Sequence, residues 1–527
     1  MGTIKSIEIF GYKKFEHLYV EFNSKTNIIV GENESGKSTI LEAISLVLNQ
    51  WYRNADKSII KELLNANNVN NFYAAPSIEM LPEIYIEIQF DLSVEEPNAR
   101  AFWGAVKRDI QTEAFGISFE CRFDVDEFGE LLADEISAGK IPFEYYKMSW
   151  KTFQGNSYNL LKRPLNSVFI DTSATEAWSS FNYFNKSLFN SKYSEPVKSK
   201  ARNDFRQKVG EIIDTLGFEA LEDNQRFGIS SKKLILENLI SVFDNNNIPL
   251  ESKGKGIESL IKTQISLDKA SSKVCTALIE EPENHLSFST LLKMITEIEN
   301  RASVCQIILT THNNLIASRL NLKNILWLSQ NRMITLTDVD DRIAEYFIKA
   351  DNNNFLNMLL SKKVILVEGA TEYILLPKLY SQYCKSTIEQ DEVTIISCNG
   401  LSYKNYLHIA EKAGKKVAVI TDNDKKQENI DYMNSFNADH VLQHIFMASD
   451  VEEWTWEVCL YKINTQMFNS IIDIQDGAEY RYNGVSYGKH LGKMLNNKVE
   501  TAYQLLVSEE SYEIPRYVKE AMQWIRE

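Results

Sequence analysis

The sequence predicts an α/β protein with more than one domain, and three observations lead to this fold class. A glycine-rich loop follows an apolar run near residue 31, strand and helix patterns alternate after residue 364, and a polar stretch, DNNNF, separates these regions at 351–355. A chain of 527 residues is also too long for one ordinary hydrophobic core. We therefore predict one domain over residues 1–350 and a second over 351–527.

The composition limits the class of protein. Its 44% hydrophobic and 24% charged residues are typical of a soluble globular chain, and no apolar run reaches the roughly 18 residues of a membrane span. The formal net charge of −15 argues against a generic basic nucleic-acid binder, although it leaves room for a local basic groove or a metal-bridged phosphate substrate. Without a signal-peptide core or metal-ligand cysteine spacing, we expect a cytoplasmic protein with reduced thiols.

The apolar pattern predicts the elements in order. An alternating pattern predicts a hairpin at 4–10 and 18–22, followed by a buried strand at 26–30 and a helix at 38–50. Further strands are predicted at 84–92, 117–125, 274–280 and 305–310, with a helical region at about 175–245. The alternating strands and helices typical of a parallel sheet are predicted at 364–369, 372–384, 393–397, 402–413, 417–422 and 441–447, and the last part of the chain is mostly helical.

The segment 31–39 reads GENESGKST and matches the phosphate-binding pattern G-x-x-x-x-G-K-[ST]. It follows a predicted strand and opens a predicted helix, which is the context that the motif requires. Glycines let backbone N–H groups curl around phosphates at a helix N-terminus, a lysine adds a positive charge, and a serine ligates Mg²⁺. The residues assigned to nucleotide binding are Asn33, Gly36, Lys37, Ser38 and Thr39, with Ser38 also a metal ligand.

Two later strands supply the groups for nucleotide hydrolysis. The apolar run from residue 274 ends at Glu280 and Glu281; the first acid suits the Mg²⁺ shell and the second orients the attacking water. The run from residue 307 ends at His312, which is placed to sense the γ-phosphate. A structural histidine is the alternative, but the order of the motifs favours the functional interpretation.

Together these motifs resemble the ABC-type ATPases of the SMC/RecF-like group, whose dimers close over ATP with a glycine-rich signature from the partner subunit. The candidate signature is SKGKGIE at 252–258, in which Gly254 and Gly256 offer N–H donors. It departs from the usual pattern because Lys255 stands where a serine would contact the γ-phosphate, so a plain flexible turn is the alternative.

The same resemblance implies three further assignments. Gln89, on an alternating strand, would be a metal-sensing glutamine of the nucleotide site, although a polar residue is expected on a half-exposed strand anyway. Lys13, in the early GYKKF turn, would approach the nucleotide. The helical region at about 175–245 would supply dimer contacts.

A second set of acids follows the strands of the C-terminal region. Glu368 ends one apolar run, Glu372 comes one helical turn later, and Asp422 and Asp424 end another run. Carboxylates at adjacent strand tips bind hard cations such as Mg²⁺. This pattern resembles a Toprim domain, a Rossmann-like fold in which the glutamate has an acid–base or metal role and the aspartates bind Mg²⁺. Glu368 is thus both a catalytic and a metal-binding candidate.

An ABC-type ATPase followed by a Toprim domain resembles the OLD family of nucleases over nearly the whole chain. In that family a later glutamate joins the metal site. Glu457, in the sequence WTWE, fits this position, with Asp450 and Glu453 as nearby alternatives. The family also uses a C-terminal lysine at the scissile phosphate, for which Lys489 is preferred over Lys493.

The resemblance implies an ATP-binding, Mg²⁺- or Mn²⁺-dependent DNA endonuclease, a homodimer or higher oligomer that acts in anti-phage defence. The implied partners are DNA and a defence protein, such as a helicase or a reverse transcriptase with its RNA. The alternative is an ATP-driven DNA clamp with a non-catalytic Toprim-like domain. A topoisomerase or primase is disfavoured because no further domain is left for a nucleophilic tyrosine or a zinc site. A structural SMC-like ATPase is disfavoured because no long coiled coil is predicted.

Overall fold

The computed structural model describes residues 2–53, 55–95, 99–105, 112–160, 163–171, 185, 189, 193–215, 235–243, 246–249, 275–329, 331–349, 354–398, 402–474 and 479–527. The chain divides into two compact units: Met1–His312 with Asn324–Met333, and Asn313–Lys323 with Ile334–Glu527. Among these described residues, no helix has both the length and the apolar character that a membrane crossing requires.

The strands up to residue 335 form two sheets. They are β1 (Thr3–Tyr12), β2 (Phe15–Glu21), β3 (Thr26–Gly31), β4 (Ile84–Asp91), β5 (Trp103–Ala105), β6 (Glu113–Phe123), β7 (Tyr146–Thr152), β8 (Asn166–Asp171), β9 (Cys275–Glu280), β10 (Gln306–Thr310), β11 (Ile325–Ser329) and β12 (Arg332–Thr335). The first sheet has the order β2-β1-β4-β6-β5, with β7 also on β6, and its strands pair antiparallel. The predicted N-terminal hairpin is confirmed as β1 and β2.

The second sheet carries the phosphate-binding loop. Its order is β12-β11-β3-β10-β9-β8, and β3 and β8–β11 pair in parallel. Every residue of β3 and β10 is buried, as expected for parallel strands covered on both faces. The strands predicted at 26–30, 274–280 and 305–310 are therefore confirmed as neighbours in one sheet.

The helices of the first unit are α1 (Lys37–Asn49), α2 (Ile60–Leu63), α3 (Ala66–Ala74), α4 (Val125–Ser137), α5 (Glu195–Thr215) and α6 (Phe288–Arg301). α1 contacts strands of both sheets, which explains why apolar residues on most of its surface, such as Ile40 and Leu46, are buried. α5 confirms part of the helical region predicted at about 175–245; much of the remainder lies outside the described residues.

Gln306 joins the two sheets of the first unit through its buried side-chain amide. Its Oε1 accepts a hydrogen bond from Ile4 N at 2.8 Å, and its Nε2 donates to Ile4 O and Asn23 O at 2.8 Å each. The side chain thus satisfies the backbone N–H and C=O of buried Ile4 in β1 and a carbonyl of the loop before β3. Because a buried polar group without a partner is costly, this position favours glutamine over an apolar residue of similar size.

The second unit contains a parallel sheet of β13 (Lys363–Val367), β14 (Val393–Ser397), β15 (Lys416–Ile420) and β16 (Gln443–Phe446), in the order β14-β13-β15-β16, and a hairpin of β17 (Arg481–Tyr482) and β18 (Val485–Ser486). Its helices are α7 (Asn314–Arg319), α8 (Asp341–Lys349), α9 (Phe355–Leu360), α10 (Ala370–Cys384), α11 (Tyr403–Lys412), α12 (Gln427–Asp439), α13 (Trp456–Ile463), α14 (Thr465–Ile471), α15 (Lys489–Asn496), α16 (Lys498–Val507) and α17 (Arg516–Arg526).

The core of the second unit lies between this sheet and the C-terminal helices. Ile365 of β13 and Ile420 of β15 share one buried cluster with Trp456 of α13, Ala502 of α16 and Met522 of α17. The predicted parallel sheet is thus confirmed. The domain boundary proposed at residue 351 falls outside the described residues, and it stays a prediction; α8 and α9, on either side of it, both belong to the second unit.

We expect Gln306→Leu to lower the free energy of unfolding of the first unit by about 2–4 kcal/mol, because Ile4 N, Ile4 O and Asn23 O would lose a buried partner. Gln154→Leu, at an exposed turn of the same unit, is the matched control and should change stability by less than about 0.5 kcal/mol. Thermal and urea unfolding measure both. Equal stability of the two variants would contradict the bridging role of Gln306.

Candidate functional site

The phosphate-binding loop joins β3 to α1 and requires glycine at Gly36. This residue has φ 106°, and an added Cβ would lie 2.5 Å from the ring of Phe15. Because α1 begins at Lys37, the free N–H groups of its first turn face the loop. This is the arrangement that binds phosphate groups at a helix N-terminus.

The Lys37 ammonium is held inside the loop. It donates hydrogen bonds to Gly31 O and Glu32 O, both at 2.9 Å, and its side chain is buried. Burial lowers the pKa of Lys37, and the attraction of three nearby carboxylates opposes this shift; they belong to Glu281, Glu283 and Glu280. The lysine is therefore oriented between the loop and the acids at the end of β9.

Parallel pairing brings these acids to the loop. Thr310 of β10 lies opposite Glu280 of β9 on one side and opposite Ile29 of β3 on the other. The carboxyl ends of the three strands therefore meet at one edge of the sheet. There Ser38 donates a hydrogen bond to the Glu280 carboxylate, so the two predicted Mg²⁺ ligands of the nucleotide site are adjacent.

His312 lies beside two glutamates at this edge. Its Nδ1 is 3.5 Å from Glu281 Oε1 and 3.4 Å from Glu283 Oε1. Glu283 Oε1 also accepts hydrogen bonds from the Thr311 hydroxyl at 2.5 Å and His312 N at 3.0 Å. Burial raises the pKa of Glu283, and these hydrogen bonds oppose the increase. Sequence reasoning missed Glu283, although a third acid is visible in the sequence EEPE.

The other residues assigned to the nucleotide site are more scattered. Asn33 is exposed in the loop and Thr39 is half-buried on α1. Gln89 is half-buried on β4 of the antiparallel sheet, and its metal-sensing role stays a prediction. Lys13 forms an ion pair with Glu42 of α1.

The candidate ABC signature is the remaining assignment for the nucleotide site. Gly254 and Gly256, together with Lys255, lie outside the described residues. Their contribution to a partner's nucleotide site therefore stays a prediction.

In the second unit, the carboxyl ends of β13 and β15 bring two predicted acids together. Val367 pairs with Ile420, so the residues that follow these strands are neighbours. Glu368 Oε2 accepts a hydrogen bond from the Thr421 hydroxyl at 3.2 Å and lies 3.5 Å from Asp422 N. Residues separated by more than 50 positions in the chain thus meet at one sheet edge.

Glu372 and Glu457 complete a group of four acids with Glu368 and Asp422, which we call the acidic cluster. Glu372 Oε2 accepts a hydrogen bond from Gly369 N at 3.1 Å, and Asp422 Oδ1 accepts one from Trp456 N at 2.8 Å. Burial, followed by repulsion from Glu457 and Glu368, raises the pKa of Glu372 to about 7. Burial and the other three acids raise the pKa of Asp422 well above its usual range.

Lys498 is the lysine that the structure places on the acidic cluster. Its Nζ is 2.9 Å from Glu457 Oε2, and attraction to Glu457 and Asp422 outweighs burial, so its pKa is raised. Sequence reasoning did not single out this residue. The sequence feature that could have pointed to Lys498 is its position at the start of a C-terminal helix, and Lys489 occupies the same kind of position.

Neither lysine chosen from the sequence has a described contact with the acidic cluster; Lys493 instead faces Glu500 at 3.6 Å. Lys489 is exposed at the start of α15. Lys493 is buried and donates a hydrogen bond to Asp473 O at 2.6 Å, which indicates a structural role. The assignment of Lys489 as catalytic stays a prediction.

The remaining acids differ from the cluster in their surroundings. Asp424 is exposed, with φ 54°, and its N–H donates to Trp454 O at 3.2 Å. Asp450 and Glu453, the alternatives to Glu457, both face Lys462 at 3.8 and 2.8 Å. The structure therefore favours Glu457 over these two as the partner of Asp422.

The donor chemistry of the acidic cluster fits a hard divalent cation. Carboxylates with raised pKa values lie in a partly buried site, and a bound cation would stabilise their charged forms. Across the parts of the chain that the structure describes, no three His, Cys, Asp or Glu side chains are closed around one point as a metal-ligand group. The assignment of metal ligands therefore stays a prediction.

Comparison with known families identifies both domains. Residues 3–154 match the AAA ATPase domain family. Residues 359–424 match the family described as overcoming lysogenization defect protein-like, TOPRIM domain. The chain carries an AAA ATPase domain and an OLD-like Toprim domain. The predicted fold class, with the ATPase first and the Toprim domain second, is confirmed.

Curated relatives of this ATPase–Toprim protein include an endonuclease and a DNA repair protein. Endonuclease GajA of Bacillus cereus is 20% identical over 465 residues, which cover 80% of this chain and 75% of GajA. The DNA replication and repair protein RecF of Clostridium kluyveri is 24% identical over 261 residues, covering 46% of this chain and 67% of RecF. The similarity to GajA thus extends across both domains.

Solved structures with similar chains include an SMC head bound to the C-terminal winged-helix domain of ScpA, with 15% identity and a TM-score of 0.34 over 64% of this chain and 99% of that one. RecF in the RecFOR pathway gives 11% identity and a TM-score of 0.34 over 64% of this chain and 98% of that one.

The raised pKa of Glu372 predicts that the stability of the second unit depends on pH. An unfolded glutamate ionises near 4.5, whereas folded Glu372 holds its proton to about 7. The folded state therefore binds more protons in this window, and stability falls as pH rises from about 4.5 to about 7 when chelator is present, by at most about 3 kcal/mol.

Thermal unfolding across this pH range, with EDTA or with Mg²⁺ or Mn²⁺, measures the effect. Divalent cation should raise the Tm at pH 7.5, and Glu372→Gln should flatten the decline in EDTA. The exposed Glu389 provides the control variant Glu389→Gln, which should keep the wild-type profile. An unchanged profile in Glu372→Gln would show that this carboxyl does not carry the pH dependence.

Proposed function

We propose that the protein is an ATP-binding, divalent-metal-dependent DNA endonuclease in which the ATPase domain controls cleavage. The observation that carries this proposal is the acidic cluster at the carboxyl edge of the Toprim sheet, where Glu368, Glu372, Asp422 and Glu457 come together. The endonuclease activity named for GajA, a relative along 80% of this chain, supports it.

In this mechanism the acidic cluster would hold Mg²⁺ or Mn²⁺, which when bound stabilises the charge on the attacking and leaving oxygens of a phosphodiester. Thr421 fixes the Glu368 carboxylate, and Trp456 N fixes Asp422. Lys498 balances the charge of Glu457 and offers an ammonium group to a phosphate. Asp424, exposed on the same turn, completes the set of acids proposed as ligands.

The ATPase site would work through the sheet edge of the first unit. Lys37 would contact the β- and γ-phosphates, while Ser38 and Glu280 would hold the Mg²⁺ of the nucleotide. Glu281 would orient the attacking water and His312 would sense the γ-phosphate. Glu283 would position His312, since it accepts hydrogen bonds from His312 N and from the adjacent Thr311.

The biological setting extends this proposal. We infer that the protein forms a homodimer or larger oligomer, acts in the cytoplasm and takes part in anti-phage defence with a partner protein, as its resemblance to the OLD family implies. If the Toprim domain only binds DNA, the protein would instead be an ATP-driven clamp. Measurements of cleavage separate these two functions.

We expect Glu368→Ala and Asp422→Ala each to abolish plasmid cleavage while ATP hydrolysis persists, because the two sites lie in separate sheets. Glu281→Gln should instead abolish ATP hydrolysis. Glu389→Ala, an exposed acid of the second unit, serves as the control. Undiminished cutting by the first two variants would refute the assignment of the nuclease site, and no cutting by wild type with any divalent cation would favour the clamp.

Lys489, Lys493 and Lys498 have different surroundings and should respond differently to substitution. We expect Lys498→Met to lower the cleavage rate by about a hundredfold through loss of a charge worth roughly 3 kcal/mol at the reacting phosphate, while Lys489→Met has a smaller effect. Lys493→Met should mainly lower the Tm, because its buried ammonium holds Asp473 O. Single-turnover cleavage and thermal unfolding measure these changes. A larger loss in Lys489→Met than in Lys498→Met would reverse the assignment.

A further inference from the structure

Three aromatic side chains lie together beside the acidic cluster, and we call Trp454, Tyr482 and Tyr487 the aromatic patch. The ring of Trp454 is stacked near Tyr482, with centroids 5.8 Å apart, and is 5.9 Å from Tyr487. All three are only half-buried. Lys425 lies over the patch, with Nζ 4.9 Å from the Trp454 ring centroid and 5.6 Å from that of Tyr487.

Local sequence builds one side of the patch. Asn483 and Gly484 have φ 50° and 79° and connect β17 to β18, where Tyr482 pairs with Val485. Two successive residues with positive φ are what a tight type I′ hairpin turn requires. The turn therefore presents Tyr482 on a short hairpin, and Tyr487 follows directly after it.

An unusual turn builds the other side. Asp424 and Lys425 both have positive φ, 54° and 60°, a conformation that non-glycine residues seldom adopt in succession. Asn423 stabilises it, because its buried side chain accepts a hydrogen bond from Lys425 N at 2.9 Å and donates to Ala448 O and Asp450 O at 3.0 and 2.9 Å. The strained turn aims Lys425 at the aromatic patch.

The patch and the acidic cluster share their supports. Trp454 O accepts a hydrogen bond from Asp424 N at 3.2 Å, and Trp456 N, two residues on, donates to Asp422. Tyr482 is also near enough to Lys498 to contribute to its raised pKa. A group bound on the aromatic patch would therefore be held at a fixed position relative to the carboxylates.

We propose that the aromatic patch and Lys425 bind an unpaired nucleobase of the DNA strand whose phosphate lies at the acidic cluster. This inference rests on the proposed nuclease function and adds the substrate class, a nucleotide that is single-stranded or turned out of the duplex. The half-exposed indole of Trp454 and the two tyrosine rings offer the stacking surface that such a base uses. The Lys425 ammonium can interact with the aromatic rings and with the backbone phosphate.

The overall charge strengthens the case for stacking. With a net charge of −15, the protein as a whole does not attract a polyanion at long range, so contacts that do not depend on charge are of value for DNA binding. Stacking does not require net positive charge and contributes enough per base to change affinity by about tenfold or more. Bases within an intact duplex present no free face, so the patch selects unpaired nucleotides.

The test uses the full-length protein with Ca²⁺ in place of Mg²⁺, and two dye-labelled single strands of equal length and charge. One carries bases and the other is an abasic sugar–phosphate chain. Fluorescence anisotropy gives the two Kd values. We expect wild type to prefer the base-bearing strand by about tenfold, Trp454→Ala and Tyr487→Ala to lose most of this preference, and Trp454→Phe to keep most of it.

Tyr503→Ala removes an aromatic side chain that is 62% exposed on α16 and serves as the control; it should behave like wild type. Thermal unfolding verifies that each variant is folded. If Trp454→Ala and Tyr487→Ala retain the wild-type preference for bases, the proposal is overturned. Plasmid cleavage with Mg²⁺ is measured in parallel, so that a failure of the nuclease function is seen separately from a failure of base binding.

Discussion

Repulsion among carboxylates is the constraint on which the second unit depends. Burial, followed by repulsion from Glu457, Glu368 and Glu372, raises the pKa of Asp422, and the same repulsion would spread the group apart. The fold opposes this with fixed donors: the Thr421 hydroxyl on Glu368, the Trp456 N–H on Asp422, and an ammonium on Glu457. A site of this kind favours cation binding, because the positive charge of a bound cation would offset the repulsion among the carboxylates.

The first unit also brings several acids together at the carboxyl edge of a parallel sheet. Its acids also follow a parallel strand, but a cation of the chain, Lys37, already lies among them, and Ser38 bridges directly to Glu280. Glu283 adds a support that the catalytic assignments had not included, because one carboxylate oxygen accepts both the His312 N–H and the Thr311 hydroxyl. In the proposed function, the rate of ATP hydrolysis would therefore depend on how well Glu283 fixes the position of His312.

Placing an aromatic patch on the same loops as the acidic cluster gives the proposed nuclease a way to select its substrate without a basic surface. The turn at Asp424 and Lys425 is strained, and strain of this kind persists only where surrounding contacts enforce it. Here the buried Asn423 supplies those contacts. This turn follows directly on Asp422 of the acidic cluster and presents Lys425 towards the rings, so it would couple phosphate and base recognition in a single piece of backbone.

The sequence by itself determined the features that local pattern controls. The phosphate-binding loop, the strands ending at Glu280 and Glu368, and the parallel sheet of the second unit were all predictable, because apolar periodicity and glycine spacing report directly on backbone conformation. Glu457, with Asp450 and Glu453 as alternatives, was proposed only through a family resemblance.

Tertiary structure decided which distant side chains meet. Lys498 contacts Glu457 across 41 positions of the chain. In the sequence Lys489, Lys493 and Lys498 look alike. The packing of α15 and α16 directs Lys498 to the acids and buries Lys493 against a backbone carbonyl. The aromatic patch likewise joins a residue before α13 to a hairpin nearly thirty positions later. Such contacts depend on how helices pack on the sheet, and side-chain direction after packing is not encoded in any local period of the sequence.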